Sequence, residues 1–390
     1  MANKDIKMNT DIGEIHPSTN EIPEALKQPF AGIQKFGLLS SNRFIKIVTI
    51  SLGGLTVIAY VAIISLQFVN IKREISKYVN NLEVMFGGLQ LLARIVTLAF
   101  WEEDFMELFN ERKLFWSANE CDKSTRTEVT SIHNLTLHLQ KSFLFVTILA
   151  IIFALISPIF GSSLPLGVWT LKGHDVLYGF TLVLSQFLTP AAGIFACSYD
   201  CIYLAFAAEI VIQFKILSHY LQHLTENDGS LLEREKNYTG KLKKYYYRYI
   251  FLLRFVNKFQ SFYSTMLFIE YITICPLICL EMYATTESSS MQLNARYIIM
   301  GGMVTMQLIF YCIPANYISD EALTISSAVY FSDWHSHYFP SATKPILLMI
   351  QNSQREISIK AGGLITMDAR TVVNVLKVAW SACSVIRGLK

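Results

Sequence analysis

Charge is scarce in this chain. Only 16% of its 390 residues are Asp, Glu, Lys or Arg, whereas 52% are hydrophobic and mean hydropathy is +0.37. That balance argues against an ordinary soluble globular protein and for a polytopic membrane protein. Catalytic signatures are missing too: there is no GxGxxG, Walker loop, HExxH or GxSxG, so nothing supports an enzyme. No Cys, His or carboxylate set has metal-site spacing, and no paired outer cysteines suggest a disulfide. Neither a metal, nor a cofactor, nor a nucleic-acid partner is called for. Cys197, Cys201, Cys275, Cys279, Cys312 and Cys383 lie in or beside apolar runs and read as small buried apolar residues, while Cys121 falls in a polar segment. Residues 1–43 carry Asp5, Asp11, Glu14, Glu21 and Glu24 and lack the short apolar core of a signal peptide.

What is present is a series of long apolar runs. Seven are expected to cross a membrane, at 44–68, 80–100, 142–160, 176–213, 263–283, 297–318 and 366–389, because a crossing helix needs about 20 largely apolar residues. Glu83 and Arg94 lie inside the second run, so neighbouring helices or an aqueous cavity should shield them. The fourth is longer than one crossing requires and should tilt or continue beyond the bilayer. With the N-terminus inside, and Lys46 counted with the tail before the first run, 23 of the 33 Lys and Arg residues fall on cytoplasmic segments and seven on outer ones. The bias predicts a cytoplasmic N-terminus and, after seven crossings, an extracellular C-terminus. A G-protein-coupled receptor has the opposite arrangement. The sequons at Asn134 and Asn237 lie on cytoplasmic segments and carry no weight.

The fold class expected is therefore all-α: a seven-transmembrane helical protein with a cytoplasmic helical anchor domain formed by span extensions. Residues 1–43 would be a cytoplasmic tail, 44–318 a six-helix membrane bundle with cytoplasmic extensions, 319–365 an anchor segment with a short helix, and 366–390 the seventh helix. PFAGIQKFGLL (29–39) suggests an amphipathic lead-in along the membrane surface. WEEDFMELFNERKLFW (101–116) has helical spacing and reads as the second span continuing into the cytoplasm. KLKKYYYRYIFLLRFVNKFQSFYSTM (241–266) grades from basic and aromatic into the fifth span, after the breaker-rich TENDGS at 225–230. PILLMIQNSQ is too short to cross and should pack under the bundle, Gly362 and Gly363 permit a turn, and Thr366 is placed as the N-cap of the last helix.

Two sites suggest themselves. On a helical wheel Arg370, Asn374, Lys377, Ser381, Ser384, Val385 and Gly388 share one face of the last helix, opposite Val372, Val375, Leu376, Ala379, Cys383 and Ile386. Polar residues in a membrane helix often only bond to neighbouring helices, and the wheel by itself favours that plainer use. The other use is a pore wall in an oligomer, with Ser381, Ser384, Val385 and Gly388 at a narrow gate and Arg370, Asn374 and Lys377 in a wider inner vestibule. The second site is the outer half of the bundle. There Met85, Phe86, Gln90, Phe153, Ser157, Phe160, Tyr178, Val183, Phe187, Met303 and Gln307 offer an apolar, aromatic lining with a few hydrogen-bonding groups. Such a lining suits a small hydrophobic ligand and equally suits an ordinary helix core. Trp169 would form its rim or anchor at the interface.

The block YFSDWHSHYFPSATKPILLMIQNSQREISIKAGGLITMDARTVVNVLKVAWSACSVIR (330–387) resembles the C-terminal signature of insect odorant receptors, with Tyr330, Asp333 and Trp334, the LLMIQNSQ run, the Ala-Gly-Gly turn at 361–363 and Ser381. The Thr-Tyr and Gln-Phe pattern of gustatory receptors is absent, as is the co-receptor's long insertion between spans four and five. The resemblance implies an odorant-tuned subunit of a heterotetrameric, ligand-gated, non-selective cation channel, assembled with co-receptor subunits in the plasma membrane of an olfactory neuron dendrite. It also implies a volatile organic ligand in the outer bundle and permeant cations in a central pore lined by the last helix. By position, the gate falls on Ser381, Ser384, Val385 and Gly388, with Val385 as the hydrophobic gate residue. A metabotropic chemoreceptor, a gustatory-type channel and a transporter are the alternatives. Against the transporter, Pro158, Pro190, Pro276 and Pro314 show no repeat relation.

Overall fold

The computed structural model describes residues 23–37, 43–67, 75–160, 175–224, 230–287, 291–332, 334 and 339–388, a few helical positions among them by backbone alone. Ten α-helices account for most of these residues: α1 Glu24–Lys35, α2 Arg43–Gln67, α3 Ile75–Phe100, α4 Glu102–Arg112, α5 Lys123–Phe160, α6 Asp175–Gln222, α7 Leu231–Glu287, α8 Met291–Tyr330, α9 Pro340–Ser353 and α10 Ala369–Gly388. A two-residue hairpin, β1 Lys360–Ala361 and β2 Ile365–Thr366, precedes α10. Among the described residues five helices, α3, α5, α6, α7 and α8, are long and apolar enough to cross a membrane. The described apolar part of α2 is shorter, Lys46–Ala59, and α10 is outside that set. The first and last expected crossings therefore do not meet the same measure.

Helix α6 is the axis of the molecule. It is apolar on most sides, and a helix of that kind has to be enclosed by protein or lipid. Tyr199, Tyr203, Phe206, Ile210, Phe214 and Leu217 are all fully buried. The rings interlock with those of α7 and α8: Tyr203 lies 5.1 Å from Phe259 and 5.2 Å from Tyr311 between centroids, spacings at which aromatic pairs attract beyond their burial. With 48 residues, α6 is about 70 Å long at 1.5 Å per residue. A hydrocarbon core of about 30 Å cannot contain it, so it continues past the bilayer, as does the 57-residue α7.

The projecting ends form a second packed region. Arg248 of α7 donates to Leu114 O at 2.8 Å and to Gln213 Oε1 at 2.6 Å, with its guanidinium 4.7 Å from the Trp116 ring centroid. Gln213 also holds the Trp116 backbone at two points, accepting from its N–H at 2.8 Å and donating to its carbonyl at 2.9 Å. Lys258 of α7 reaches Glu107 of α4 at 2.6 Å. These bonds tie α4, α6 and α7 together beside the buried Phe105, Phe109 and Phe115. At the head of α5, Asp122 accepts from Thr125 N at 3.0 Å. The Thr125 hydrogen bonds hold its carboxyl below the usual carboxylate range.

Three local expectations need correction. The second span does not continue unbroken, because Trp101 leaves helical geometry (φ −117°, ψ 33°) and α4 starts anew with Glu102, Glu103 and Asp104 in its first turn, where acidic residues offset the helix dipole. Helix α1 buries Ala25, Leu26, Pro29 and Ile33, and it packs on α6 so closely that a Cβ at Gly32 would overlap Ser198 Oγ; its apolar stripe is thus spent on protein. The cap of α10 is Asp368, not Thr366: its carboxylate accepts from Thr371 N at 2.7 Å and from the Thr371 hydroxyl at 2.8 Å. Thr366 is instead drawn into β2 opposite Lys360. Trp169, Asp333 and most of TENDGS lie outside the described residues.

The Ala361-Gly-Gly turn sets the direction of α10. Gly362 and Gly363 have φ of +60° and +72°, and Gly362 N–H donates to Ser264 O of α7 at 2.9 Å. Replacing Gly363 with Ala should cost roughly 1–2 kcal/mol through left-handed strain alone. Gly362→Ala should cost more, since its Cβ would also meet the Phe268 ring at 2.9 Å. Thermal unfolding of the two purified variants checks the order; equal midpoints would mean that Phe268 simply moves aside.

Candidate functional site

Isolated charges in an apolar bundle are expensive, so most of those present should be paired. Arg94 of α3 is the centre of the largest set. Its Nε and Nη2 donate to Asp200 Oδ1 of α6 at 3.1 and 3.0 Å, and Nη2 also lies 2.9 Å from Glu270 Oε1 of α7. The side chains of Arg94, Asp200 and Glu270 are 2%, 1% and 0% exposed. From α8, the Tyr311 hydroxyl donates to Asp200, and Gln307 Nε2 donates to Asp200 Oδ2 and Glu270 Oε2, each at 3.3 Å. One step along α3, Gln90 donates to Thr273 Oγ1 of α7 at 2.8 Å. Farther along, Glu83 accepts from Arg296 of α8 at 2.6 Å. Four helices thus converge on one arginine, which explains how Glu83 and Arg94 are tolerated in a span.

Against this network lies a cavity of about 240 Å³ between α3, α5, α6 and α8, with Val57 of α2 at its edge. Its polar wall consists of Glu83, Gln90, Arg94, Thr147, Ser185, Thr189, Asp200 and Gln307. The remainder is apolar, with Gly87, Gly88, Ala150, Ala154, Ala192, Gly193, Ala196 and Cys197 small, beside Val84, Leu91, Phe143, Ile151, Leu188, Met300 and Met303. Of the ligand residues expected from sequence, Gln90, Met303 and Gln307 line this cavity. Met85, Phe86 and Phe153 are partly buried but are not in its wall. Val183 and Phe187 are 58% and 74% exposed and point away from it. The reason is rotation: the inward face of α6 at this level carries Ser185, Leu188, Thr189 and Ala192, while Val183 and Phe187 lie on the opposite, outward face. The side chains of Ser157, Phe160 and Tyr178 lie outside the described residues.

Helix α10 buries one side only. Val372, Val375, Ala379 and Cys383, spaced three and four apart, face α7 and α8. Leu376, expected with them, is at the margin with 36% exposure. Arg370, Asn374, Lys377, Ser381, Ser384 and Val385 are all exposed, and Gly388 ends the helix. Among these described seam residues the one side-chain hydrogen bond is from Ser384 to the carbonyl of Trp380, within the same helix. The seam is therefore not used to bond neighbouring helices of the chain. No group of three or more His, Cys, Asp or Glu that could hold a metal occurs among the described residues.

Comparison with known proteins decides the family. A model described as 7tm Odorant receptor matches residues 73–380, most of the chain. The chain belongs to the insect odorant receptor family. Odorant receptor Or2 of Anopheles gambiae is 25% identical over 272 residues, covering 67% of this chain and 69% of that one. Odorant receptor 82a of Drosophila melanogaster is 22% identical over 219 residues, 56% of this chain and 54% of its own length. The solved olfactory receptor OR5 of Machilis hrabei shares the fold at a TM-score of 0.79, with 14% identity, covering 93% of this chain and 97% of that one. Its complex with eugenol aligns with a TM-score of 0.78. The protein is accordingly a multi-pass membrane receptor of a channel-like family and not an enzyme.

Sequence reasoning missed Asp200, Glu270 and Glu281 in this odorant receptor. Each is a carboxylate inside an apolar run, Asp200 in the fourth and Glu270 and Glu281 in the fifth, and that signal was available. Removing Arg94 would leave Asp200 and Glu270 buried without a counter-charge. Arg94→Met should destabilise the receptor by about 3–5 kcal/mol. Asp200→Asn should be much milder, because it leaves Arg94 matched to Glu270. Thermal stability of the solubilised variants tests this; an Asp200→Asn loss as large as that of Arg94→Met would refute the charge balance.

Proposed function

We propose that this receptor is the tuned, odorant-binding subunit of a heterotetrameric, ligand-gated, non-selective cation channel in the plasma membrane of olfactory neurons. The observation that carries the proposal is the cavity backed by the Arg94 network. Its volume of about 240 Å³ is below the roughly 300–1,000 Å³ typical of drug-sized sites, which suits a small volatile with an apolar body and one or two polar groups. The solved complex of a like-folded receptor with eugenol supports the same class of ligand. Gln90, Met303 and Gln307, which line the cavity, would contact such a ligand together with Thr147, Ser185 and Thr189. The short connection between α6 and α7, without the co-receptor's insertion, favours the tuned subunit over the co-receptor.

The exposed seam supports the channel half of the proposal. Copies of α10 around an axis would turn Arg370, Asn374 and Lys377 to an inner vestibule and Ser381, Ser384, Val385 and Gly388 to a narrow outer gate. Val385 would close it by dewetting. The Lys and Arg bias sets the N-terminus in the cytoplasm and the C-terminus outside, with seven crossings that include α2 and α10. The region of Arg248, Gln213 and Trp116 then becomes the cytoplasmic anchor where subunits meet.

Co-expressed with a co-receptor, the receptor should give odorant-evoked cation current in cells whose G-protein signalling is blocked, and current that vanishes under the block would defeat the direct-channel reading. Gly87 lines the cavity, and a Cβ there meets nothing within 4 Å. Gly87→Leu should therefore fill the site and lower odorant sensitivity by about tenfold or more, as expected for removal of most of a ligand's apolar burial, with the reversal potential unchanged. Val385→Ser should raise resting current; unaltered resting current and permeation would remove Val385 from the gate.

A further inference from the structure

A larger cavity of about 500 Å³ lies between α7, α8 and α10. It shares no lining residue with the first, and α8 separates them: Met300, Met303 and Gln307 face one, Gly301, Gly302 and Thr305 the other. Its wall is mainly apolar, with Met282, Ile309, Leu376 and Trp380 prominent, and it includes Glu281. Glu281 is 1% exposed, and neither of its carboxylate oxygens has a hydrogen-bond partner. Gly301 makes room for it, since a Cβ there would come within 3.2 Å of Glu281 Cβ. The nearest ion pair, Glu83 with Arg296, is already matched at 2.6 Å. Glu281 is thus one acid in excess, its side chain in the wall of a cavity large enough for a small molecule and its oxygens just behind that wall. Polar groups so placed are normally paired.

We propose that this cavity is a second ligand site, which takes a small apolar primary amine. The ammonium would be held by the Glu281 carboxylate, and the body would lie between Met282, Ile309 and Trp380. A charge-assisted bond formed in an apolar surrounding is strong because little water competes for it. The two free oxygens match an ammonium, which has donors and no acceptor. An occupant would touch Leu376, Trp380, Cys383 and Ser384 of α10 and so bias the helix assigned to the pore. That consequence rests on the channel reading; binding does not, so the test reads binding rather than current.

The probe is tritiated 4-phenylbutylamine, applied to the full-length receptor in lipid nanodiscs, with 4-phenyl-1-butanol as uncharged competitor. Saturable binding is expected, with the alcohol a weak competitor. Glu281→Gln, which keeps the shape, should weaken amine binding by about tenfold or more, as for loss of one partner of a buried charge pair. Gly302→Leu should abolish it, because a Cβ at Gly302 enters open space within the cavity. Gly87→Leu should leave it intact. Size-exclusion profiles establish that each variant is folded. The proposal is overturned if wild-type receptor shows no saturable binding, as when a neighbouring subunit fills the cavity. It is overturned equally if Glu281→Gln and Gly302→Leu are both without effect, if Gly87→Leu removes the binding, or if the alcohol competes as well as the amine. None of these outcomes depends on whether the receptor conducts.

Discussion

The salt bridge between Arg94 and Asp200, closed by Glu270, is the constraint to which the rest of the bundle conforms. A guanidinium withdrawn from water must find its partners within the protein, and here they come from three other helices. The rotation of each helix about its axis is thereby fixed to the register that presents Asp200, Glu270, Gln307 and Tyr311 to one point. Apolar packing alone would allow several rotations at similar cost, because α6 and α8 are hydrophobic on most sides. A buried ion pair adds little net stability; its contribution here is to select one arrangement of the helices. The cavity beside it is a result of the same selection, since it places glycines and alanines opposite one another.

Much of the fold was readable from the chain. Long apolar runs, the Ala-Gly-Gly turn, the short PILLMIQNSQ helix and the two faces of α10 all follow from periodicity and breakers, and the structure has each of them. The break at Trp101 was harder to see, because backbone hydrogen bonds pass through it from Thr97 to Phe105 and the side-chain spacing hardly changes. Thr366 and Asp368 are both acceptable caps; the choice was made by β1, which captures Thr366 from a distance in sequence that local rules do not weigh.

The cavity was less legible. Large aromatic residues attract attention as ligand contacts, yet Phe187 faces outward and Phe86 packs into the core. Space arises where side chains are small, and Gly87, Ala192 and Gly193 are inconspicuous in a run of hydrophobic letters. In a soluble protein, polarity would mark the outward face of α6. In a membrane both faces are apolar, so that contrast is lost. Gln90 and Gln307 could be found because an amide within a span has to meet polar partners, here Thr273 for the one and Asp200 with Glu270 for the other.

The length of α7 and the place of its proline have a mechanical consequence. The helix of 57 residues is about 85 Å long, and its part beyond Pro276, Leu277 to Glu287, is an arm of about 16 Å. Its lower half is clamped at Arg248 and Lys258, whereas Pro276 interrupts its bonding higher up. Bending is therefore concentrated at one joint. Beyond that joint the helix carries Glu281 and, with it, one wall of the second cavity, so this upper arm can swing as a lever while its base stands still.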